Sequence, residues 1–565
     1  MSRDTALSGV EQIKRESGGL RGPVAGELAN GDGHFSDAGK QILKFHGSYQ
    51  QDDRDRRRDL RKAGLEPAYS FMTRSRIPGG VLTAAQYLVH DDLADRFANG
   101  TLRLTTRQTI QLHGVLKGEL APTIRALNGA LVTTLATCGD VNRNVMSCPA
   151  PLPHALRAET LDVARRISEH LLPRTRAYHE IWIDGERTAG GEPDPDPIYE
   201  DRYLPRKFKT AIGFADDNCT DVYANDLGLL VIADHGGLVG FNVLVGGGLG
   251  RTHGKAETYP RLADPLGFVV PDDVLDIATA VITTQRDFGN RADRRRARLK
   301  YLIDERGLDW FRGEVERRLG RRLTPPVPVE VTAVHDHLGW HDQGDGRWFH
   351  GLFIENGRIR DTDTSLTRTA LRRILEEYRP GVRLTPQQNL LITDVAERSR
   401  SGIERILAEH GVVGAATPVR RWSMACPALP TCPLALAEAE RVLPGVIDQL
   451  ESELRRLGLE DVPFSVRMTG CPNGCARPYT ADLAFVGRSG DRYVVYIGGN
   501  MEGTRLNVAY ADLVPLAQLV PTVRPLLERF ARERQPDERF GDFCDRTGAS
   551  EGQLGHNATQ AAHHA

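Results

Sequence analysis

Cysteine is scarce in this chain, with eight among 565 residues, too few for the disulfide framework that holds small secreted proteins together. An excess of charge of one sign is missing too. Lys and Arg number 73 against 75 Asp and Glu, a formal net charge of -2, so no global field recruits nucleic acid or an anionic membrane, and any basic site must be local. Long apolar runs are lacking: stretches such as Leu227 to Ala233 fall far short of the roughly 18 residues a membrane span needs. Met1 to Lys14 carries acidic side chains and no apolar signal segment, which argues against secretory export and makes the cytoplasm the expectation. What is present is a globular composition, 40% hydrophobic and 26% charged, which excludes wholesale disorder, collagen and coiled coil. At roughly 150 residues per domain, the length implies three or four structural units.

The first 45 residues are Gly-rich and polar, and Gly548 to Ala565 lacks periodic apolar positions; both ends read as extended or loose, outside the core. Between them the chain repeats itself once. Arg103-Leu104-Thr105-Thr106-Arg107-Gln108 returns as Arg383-Leu384-Thr385-Pro386-Gln387-Gln388, 280 residues on, and Cys148-Pro149-Ala150 returns as Cys426-Pro427-Ala428, 278 residues on. Each copy continues into a helical stretch, a basic strand-like segment (Arg206 to Thr210; Arg467 to Thr469) and a glycine turn (Gly246 to Gly248; Gly498-Gly499). Two such halves imply a pseudo-twofold axis. Leu102, Leu104 and the Ile110 to Leu112 alternation predict strands, while Thr160, Ala164, Ile167 and Leu171 mark one helical face. Ile447, Leu450, Leu454 and Leu457 mark another, which Gly458 ends. Without a regular βαβ rhythm the fold class is α+β.

Half of the cysteines lie close together: Cys426 and Cys432 as C-x5-C, Cys471 and Cys475 as C-x3-C. Four thiolates in two pairs suit either Zn²⁺ or an iron-sulfur cluster. The wide first spacing, set in Pro-Ala-Leu-Pro-Thr and followed by helix, favours a [4Fe-4S] cube over zinc. Glycine and proline around Cys471-Pro472-Asn473-Gly474-Cys475 allow close backbone approach to sulfur, which tunes a redox potential.

Thr469-Gly470-Cys471-Pro472-Asn473-Gly474-Cys475, together with Cys426-Pro427-Ala428-Leu429-Pro430-Thr431-Cys432-Pro433-Leu434-Ala435, resembles the siroheme and [4Fe-4S] signature of assimilatory sulfite reductase hemoproteins and their nitrite reductase relatives. The similarity extends to Phe45-His46-Gly47 with Tyr49 to Asp55, Arg76 to Gly80, Arg103 to Gly114, Asn142-Arg143-Asn144, Leu204 to Lys209 and Gly541-Asp542-Phe543. It implies ferredoxin-like half-domains and two larger cofactor-binding α+β domains about a pseudo-twofold. The corresponding divisions are an extended arm (1–60), a first half-domain (61–145), a siroheme and substrate domain (146–330), a second half-domain (331–420), a cluster and siroheme domain (421–545) and a flexible tail (546–565).

By the same resemblance, Cys426, Cys432, Cys471 and Cys475 hold the cluster, and Cys475 also reaches the siroheme iron, with Asn473 beside it. The first copy keeps Cys148 but lacks the other three thiols at matching spacing, so one half carries the cluster. The resemblance places Arg74, Arg143, Lys207 and Lys209 over the substrate, a small anion, sulfite, that fixed cations bind and protonate as oxygen leaves as water. Alternation in Arg206-Lys207-Phe208-Lys209 independently sends Lys207 and Lys209 to one face of a strand; an exposed basic strand fits the pattern equally well. The nitrite reductase relatives tend to a neutral residue at the Lys209 position. Arg103, Arg107, Gln111 and His113 are assigned to the siroheme carboxylates, arginine forks being suited to that task.

Gly246 to Gly250 is not a dinucleotide-binding fingerprint and reads as a tight turn near cofactor carboxylates. Asp52 to Arg58 is a charge run that composition alone makes a solvated face, and the resemblance brings its leading residues near the cofactors. Cys138 and Cys219 have no partner by spacing and read as inert core thiols. No flavin or nicotinamide motif is present, so electrons come from a partner, a ferredoxin or a flavoprotein reductase subunit; Pro427-Ala428-Leu429 and Ala476 to Tyr479 look more like the ferredoxin-dependent members. The expected function is six-electron reduction of sulfite to sulfide for cysteine synthesis. The alternatives are nitrite reduction and, in another class, a non-catalytic zinc or iron-sulfur interaction protein.

Overall fold

The computed structural model describes residues 7–174, 181–183, 186–189, 196–412 and 416–549. Three short helices, α1 (Gly9–Arg15), α2 (Val24–Ala29) and α3 (Asp37–Leu43), lead into strand β1 (Ser48–Asp52) and helix α4 (Arg57–Lys62). There follow β2 (Tyr69–Arg74), β3 (Val81–Thr83), α5 (Ala84–Phe97), β4 (Leu102–Leu104), β5 (Ile110–Val115) and α6 (Leu120–Gly129). Helix α7 (Ala155–His170), the hairpin β6 (Ile181–Ile183) and β7 (Glu186–Ala189), and strands β8 (Thr210–Gly213), β9 (Leu227–Asp234), β10 (Gly237–Val245) and β11 (Asp264–Val269) come next. Helices α8 (Val274–Phe288), α9 (Leu299–Arg306) and α10 (Leu308–Leu319) close the first copy.

The second copy runs β12 (Gly339–Asp342), β13 (Arg347–Leu352), β14 (Arg358–Ile359), α11 (Thr367–Tyr378), β15 (Gly381–Leu384), β16 (Leu390–Ala396) and α12 (Arg400–Glu409). It continues with α13 (Pro418–Arg421), β17 (Ser423–Ala425), α14 (Leu443–Arg456), β18 (Val466–Thr469), β19 (Leu483–Ser489), β20 (Arg492–Ile497), β21 (Val508–Pro515), α15 (Leu519–Glu533) and α16 (Phe540–Arg546).

Local chemistry sets many of these limits. Thr83 caps α5 in a reciprocal box with Gln86, which satisfies two otherwise orphaned amides. Helix α14 buries Val446, Ile447, Leu450 and Leu454. It stops at Gly458, whose positive φ of 66° lets Gly458 N–H reach Arg455 O (3.2 Å) and Leu459 N–H reach Leu454 O (2.8 Å), as a Schellman ending requires.

The half-domain sheets are five-stranded, β1-β2-β5-β4-β14 and β12-β13-β16-β15-β3. Each borrows its last strand from the other copy. Arg358 pairs with Arg103 across β14 and β4, and Arg383 with Val81 across β15 and β3. Leu82, Ile110, Ile359, Leu371 and Ile392 accordingly share one core.

The larger domains repeat each other as β8 to β11 and β18 to β21, each with one parallel pair followed by antiparallel pairs. Met146 bridges Ala211 in parallel, as Met424 pairs with Arg467. Lys209 N–H donates to Asp226 Oδ2 and Ser465 N–H to Asp482 Oδ2, both at 2.9 Å and both spanning 17 residues. Gly246 and Gly498, at φ 82° and 90°, donate to Asp226 O and Asp482 O. The α+β class with its pseudo-twofold repeat is therefore present in the fold.

Two expectations need correction. Of the first 45 residues, read as loose and outside the core, 7–45 form α1 to α3 and place Leu20, Phe35, Ile42 and Leu43 at 0–2% exposure. Buried Lys14 donates to Leu204 O (2.6 Å) and pairs with Glu11 (2.5 Å), while Asp140 takes Arg294 (2.8 Å); charged composition hides burial when the charges neutralise one another. Arg206 to Lys209, read as a strand, is extended chain with a single bridge at Phe208; the strand begins at Thr210. Of the tail, Arg546 to Ala549 is ordered against α16, and residues 550–565 lie outside the described residues.

Candidate cofactor and anion site

The loop after β17 and the turn after β18 bring the four clustered cysteines together. Cys426 and Cys471 are buried, Cys432 is half-buried and Cys475 is exposed. Burial and the other three thiols push the Cys426 thiol well above its ordinary value, and burial with Cys475 and Cys471 pushes Cys432 up to about 12. Thiols that burial and close neighbours hold protonated become stable thiolates with a cation beside them, and four thiols are the donor set a cluster needs. Gly470 N–H points at Cys426 Sγ (3.3 Å) and Asn473 Nδ2 at Cys471 Sγ (3.4 Å). A Cβ at Gly470 would lie 2.5 Å from Ala437 O and 2.6 Å from the Ala428 Cβ, so the turn can close on sulfur only with glycine there. Arg54, from the charge run after β1, donates to Cys432 O (3.1 Å) and Ala435 O (2.5 Å).

Cys475 faces a small cavity shared by three parts of the fold. Thr106 and Arg107 come from the β4-β5 turn, Lys207, Lys209, Asn225, Gly250 and Arg298 from the first large domain, and Asn473 and Gly474 from the second. Lys207 and Lys209 both line it, with Phe208 turned into the core. Burial, then Lys209, Arg143, Arg206 and Arg298, drives the Lys207 ammonium well below its ordinary value. Burial with Arg298 and Arg107 lowers Lys209 to about 7. Arg107 uses Nη1 on Asn225 (2.9 Å) and Nη2 on Asn144 O and Thr210 O, leaving a buried Nε without a partner. Arg143 reaches Gly139 O (3.2 Å) and the Tyr49 hydroxyl (3.5 Å), and its Nε is likewise orphaned. A cavity lined by Arg107, Lys207, Lys209 and Arg298 suits an anion, and Arg143 is not on its wall.

The remaining assigned residues divide. Arg74 donates to Cys138 Sγ (3.3 Å) and, through Nε, to the Gln111 amide oxygen (3.0 Å), whose nitrogen faces His113 Nε2 (3.2 Å). His113 is buried, which holds its pKa well below the ordinary value, so it is a neutral hydrogen-bonding group. Arg103 is spent elsewhere: Nη2 donates to Ala425 O (2.7 Å), Nη1 to Leu104 O (3.1 Å), and Nε pairs with Glu440 (3.0 Å). It braces the chain entering Cys426 and does not line the cavity. At the glycine turn, Leu249 and Gly250 lie on the cavity wall, and buried Lys300 donates to Gly248 O and Gly250 O.

Sequence reading missed Arg298, which grips Asp226 through two hydrogen bonds (2.9 and 2.8 Å). It ends the basic run from Arg294, and no local pattern connects it to an aspartate 72 residues earlier. Cys219 was also misread. It stands seven residues before Asp226, as Cys475 stands seven before Asp482, and in both copies a left-handed residue intervenes, Asp221 (φ 48°) and Arg477 (φ 56°). Cys219 is thus the counterpart of Cys475 and lies beside Cys148.

Comparison with known proteins matches the same architecture. The family model for the nitrite and sulphite reductase 4Fe-4S domain covers residues 162–323 and 418–552, and that for the nitrite/sulfite reductase ferredoxin-like half domain covers 65–130 and 341–410. The chain is 48% identical over 544 residues to the sulfite reductase [NADPH] hemoprotein beta-component of Chromohalobacter salexigens, covering 95% of each chain. It is 49% identical to that of Myxococcus xanthus, covering 96% of this chain and 97% of the relative. The solved structure of the Mycobacterium tuberculosis NirA protein superposes with a TM-score of 0.77 at 26% identity, over 96% of both chains. Half-domain and cofactor-domain matches alternate twice, as the duplicated fold demands, and this chain belongs to the nitrite and sulphite reductase family.

Proposed function

We propose that this chain is the catalytic hemoprotein of an assimilatory sulfite reductase, carrying out the six-electron reduction of sulfite to sulfide with a siroheme and a [4Fe-4S] cluster. The observation that carries the reading is the cationic cavity over Cys475, where Lys207, Lys209, Arg107 and Arg298 converge. The relatives' printed name, sulfite reductase hemoprotein, supports the same substrate.

Cys426, Cys432, Cys471 and Cys475 would hold the cluster, and the exposed Cys475 would join it to the siroheme. Arg107 and Arg143, with their orphaned Nε atoms, would face acidic groups of the macrocycle or the substrate. When bound, the coupled pair supplies single electrons in succession to the anion. The chain's own residues do the rest. Lys207 and Lys209, held close together by the extended segment, bind the anion and regain full charge when it arrives. Lys209, lowered to about 7 by burial with Arg298 and Arg107, also releases a proton readily, which suits it to protonating departing oxygen.

The donor is proposed to be a flavoprotein alpha-component using NADPH, because the relatives are named as its beta-component. The likeness of Pro427 to Leu429 to ferredoxin-dependent members is outweighed by similarity over the whole chain. No helix among the described residues is long and apolar enough to cross a membrane.

The deciding experiment is the absorption spectrum of protein from siroheme-producing cells, followed by kcat/KM for sulfite and nitrite with a reduced viologen. The expected result is a Soret band with a long-wavelength siroheme band that responds to sulfite, and preference for sulfite. Colourless protein despite siroheme supply, or a clear preference for nitrite, would overturn the proposal.

A further inference from the structure

Cys148, Asp217, Cys219 and His337 form a second cluster of ligating side chains that the proposed reaction does not use. Their ligand atoms all lie within 4.8 Å of one another, and all four residues are buried. Cys148 Sγ is 3.0 Å from Asp217 Oδ2 and 3.5 Å from His337 Nε2, and His337 Nε2 is 2.9 Å from Asp217 Oδ2. A tetrahedral ion with bonds of about 2.0 to 2.3 Å spaces its ligands about 3.3 to 3.8 Å apart, so small side-chain shifts suffice.

We propose that these four residues bind a single Zn²⁺-class divalent cation, a structural metal site at the pseudo-twofold counterpart of the iron-sulfur cysteines. Cys148 corresponds to Cys426 and Cys219 to Cys475, but two thiols at single-ion spacing replace the four that a cube requires. Two thiolates and the Asp217 carboxylate carry three negative charges. The ion and the Arg157 guanidinium, 3.7 Å from Asp217 Oδ2, carry three positive ones, so the buried assembly is neutral. Loading exchanges the cation for the protons on the thiols and imidazole and needs no redox partner.

The surroundings orient the ligands. Asp217 Oδ1 accepts from His335 N–H (3.2 Å), which turns Oδ2 toward the thiols, as outer contacts do at metal centres. His337 has a left-handed backbone (φ 58°), and its carbonyl fits only because position 351 is glycine, where a Cβ would sit 1.9 Å away. His337 belongs to the connection between the copies, which Asn218 N–H to Ala333 O (3.0 Å) and Thr332 N–H to Ala215 O (2.8 Å) fasten to the first large domain. The ion would clamp that connection where it enters the second half.

The test is metal analysis and zinc-edge X-ray absorption on holoenzyme purified anaerobically from zinc-replete cells. The expected result is about one zinc per chain, with two sulfurs at about 2.3 Å and two nitrogen or oxygen ligands at about 2.0 to 2.1 Å. His337→Gln should lower zinc content about tenfold or more and leave the siroheme and cluster spectra unchanged. If that variant does not fold, the wild-type absorption edge decides alone. Zinc far below stoichiometric would overturn the site. So would an all-sulfur shell, which marks zinc in an unfilled cysteine quartet, or a Cys148–Cys219 disulfide in the isolated protein. None of these readouts depends on which anion the enzyme reduces.

Discussion

Lys207 and Lys209 separate binding from assembly. Neither is a cluster ligand, and both line the cavity, so Lys207→Ala or Lys209→Ala should keep both cofactor spectra while turnover falls by roughly 10² to 10³. Wild-type turnover in either variant would remove the assigned role. Cys475→Ser acts differently. The exposed thiol is the one that faces the cavity, so the variant should lose the coupled cofactor pair, and a normal heme spectrum would count against the bridge. The four cysteines and the two lysines were legible because their spacing lies within short segments. Cys219 was not. Seventy-one residues separate Cys148 from Cys219, against 49 between Cys426 and Cys475, and only the shared left-handed turn before each aspartate shows the correspondence.

Among the elements, Glu440 holds the cysteine-bearing loop after β17 to the half-domains. It accepts from Arg358 of β14 (2.7 and 3.0 Å) and pairs with Arg103 of β4 (3.0 Å). Burial would raise its pKa, but Arg103 and Arg358 outweigh that and hold it at about 2, below the ordinary 4.5. A depressed carboxylate stabilises the fold above its ordinary pKa and loses that contribution as pH falls toward its folded value. Thermal stability should therefore decline from about pH 5 toward about pH 3, and Glu440→Gln should start lower at neutral pH and decline less; an unchanged acid profile would refute the clamp. Helices α7 and α14 were readable from their apolar faces, since packing on one side writes a period into the sequence. The traded strands β3 and β14 were not, being three and two residues long, too short for any alternation to register.

Across the whole molecule, the N-terminal arm joins the first large domain through buried charge. Glu11 and Lys14 meet Asp140, Arg291 and Arg294 under α1. Deleting residues 1–45 takes Glu11 from Arg291 and Lys14 from Asp140, and uncovers the apolar residues that pack around Leu20 and Phe45. The melting temperature should drop by about 5 °C or more, as differential scanning calorimetry would register; an unchanged melting temperature would mean the arm is a dispensable strap.

The exchange of β3 and β14 between the half-domain sheets also bears on descent. After an ancestral duplication, the two copies are ordinarily free to diverge and separate. Here each copy supplies the edge strand that closes its neighbour's sheet, and an uncovered edge invites aggregation. Losing either copy's strand would expose the other's sheet edge, so the duplication acts as a ratchet: the half that supplies the lysines and the half that supplies the cysteine quartet can no longer be shed one without the other.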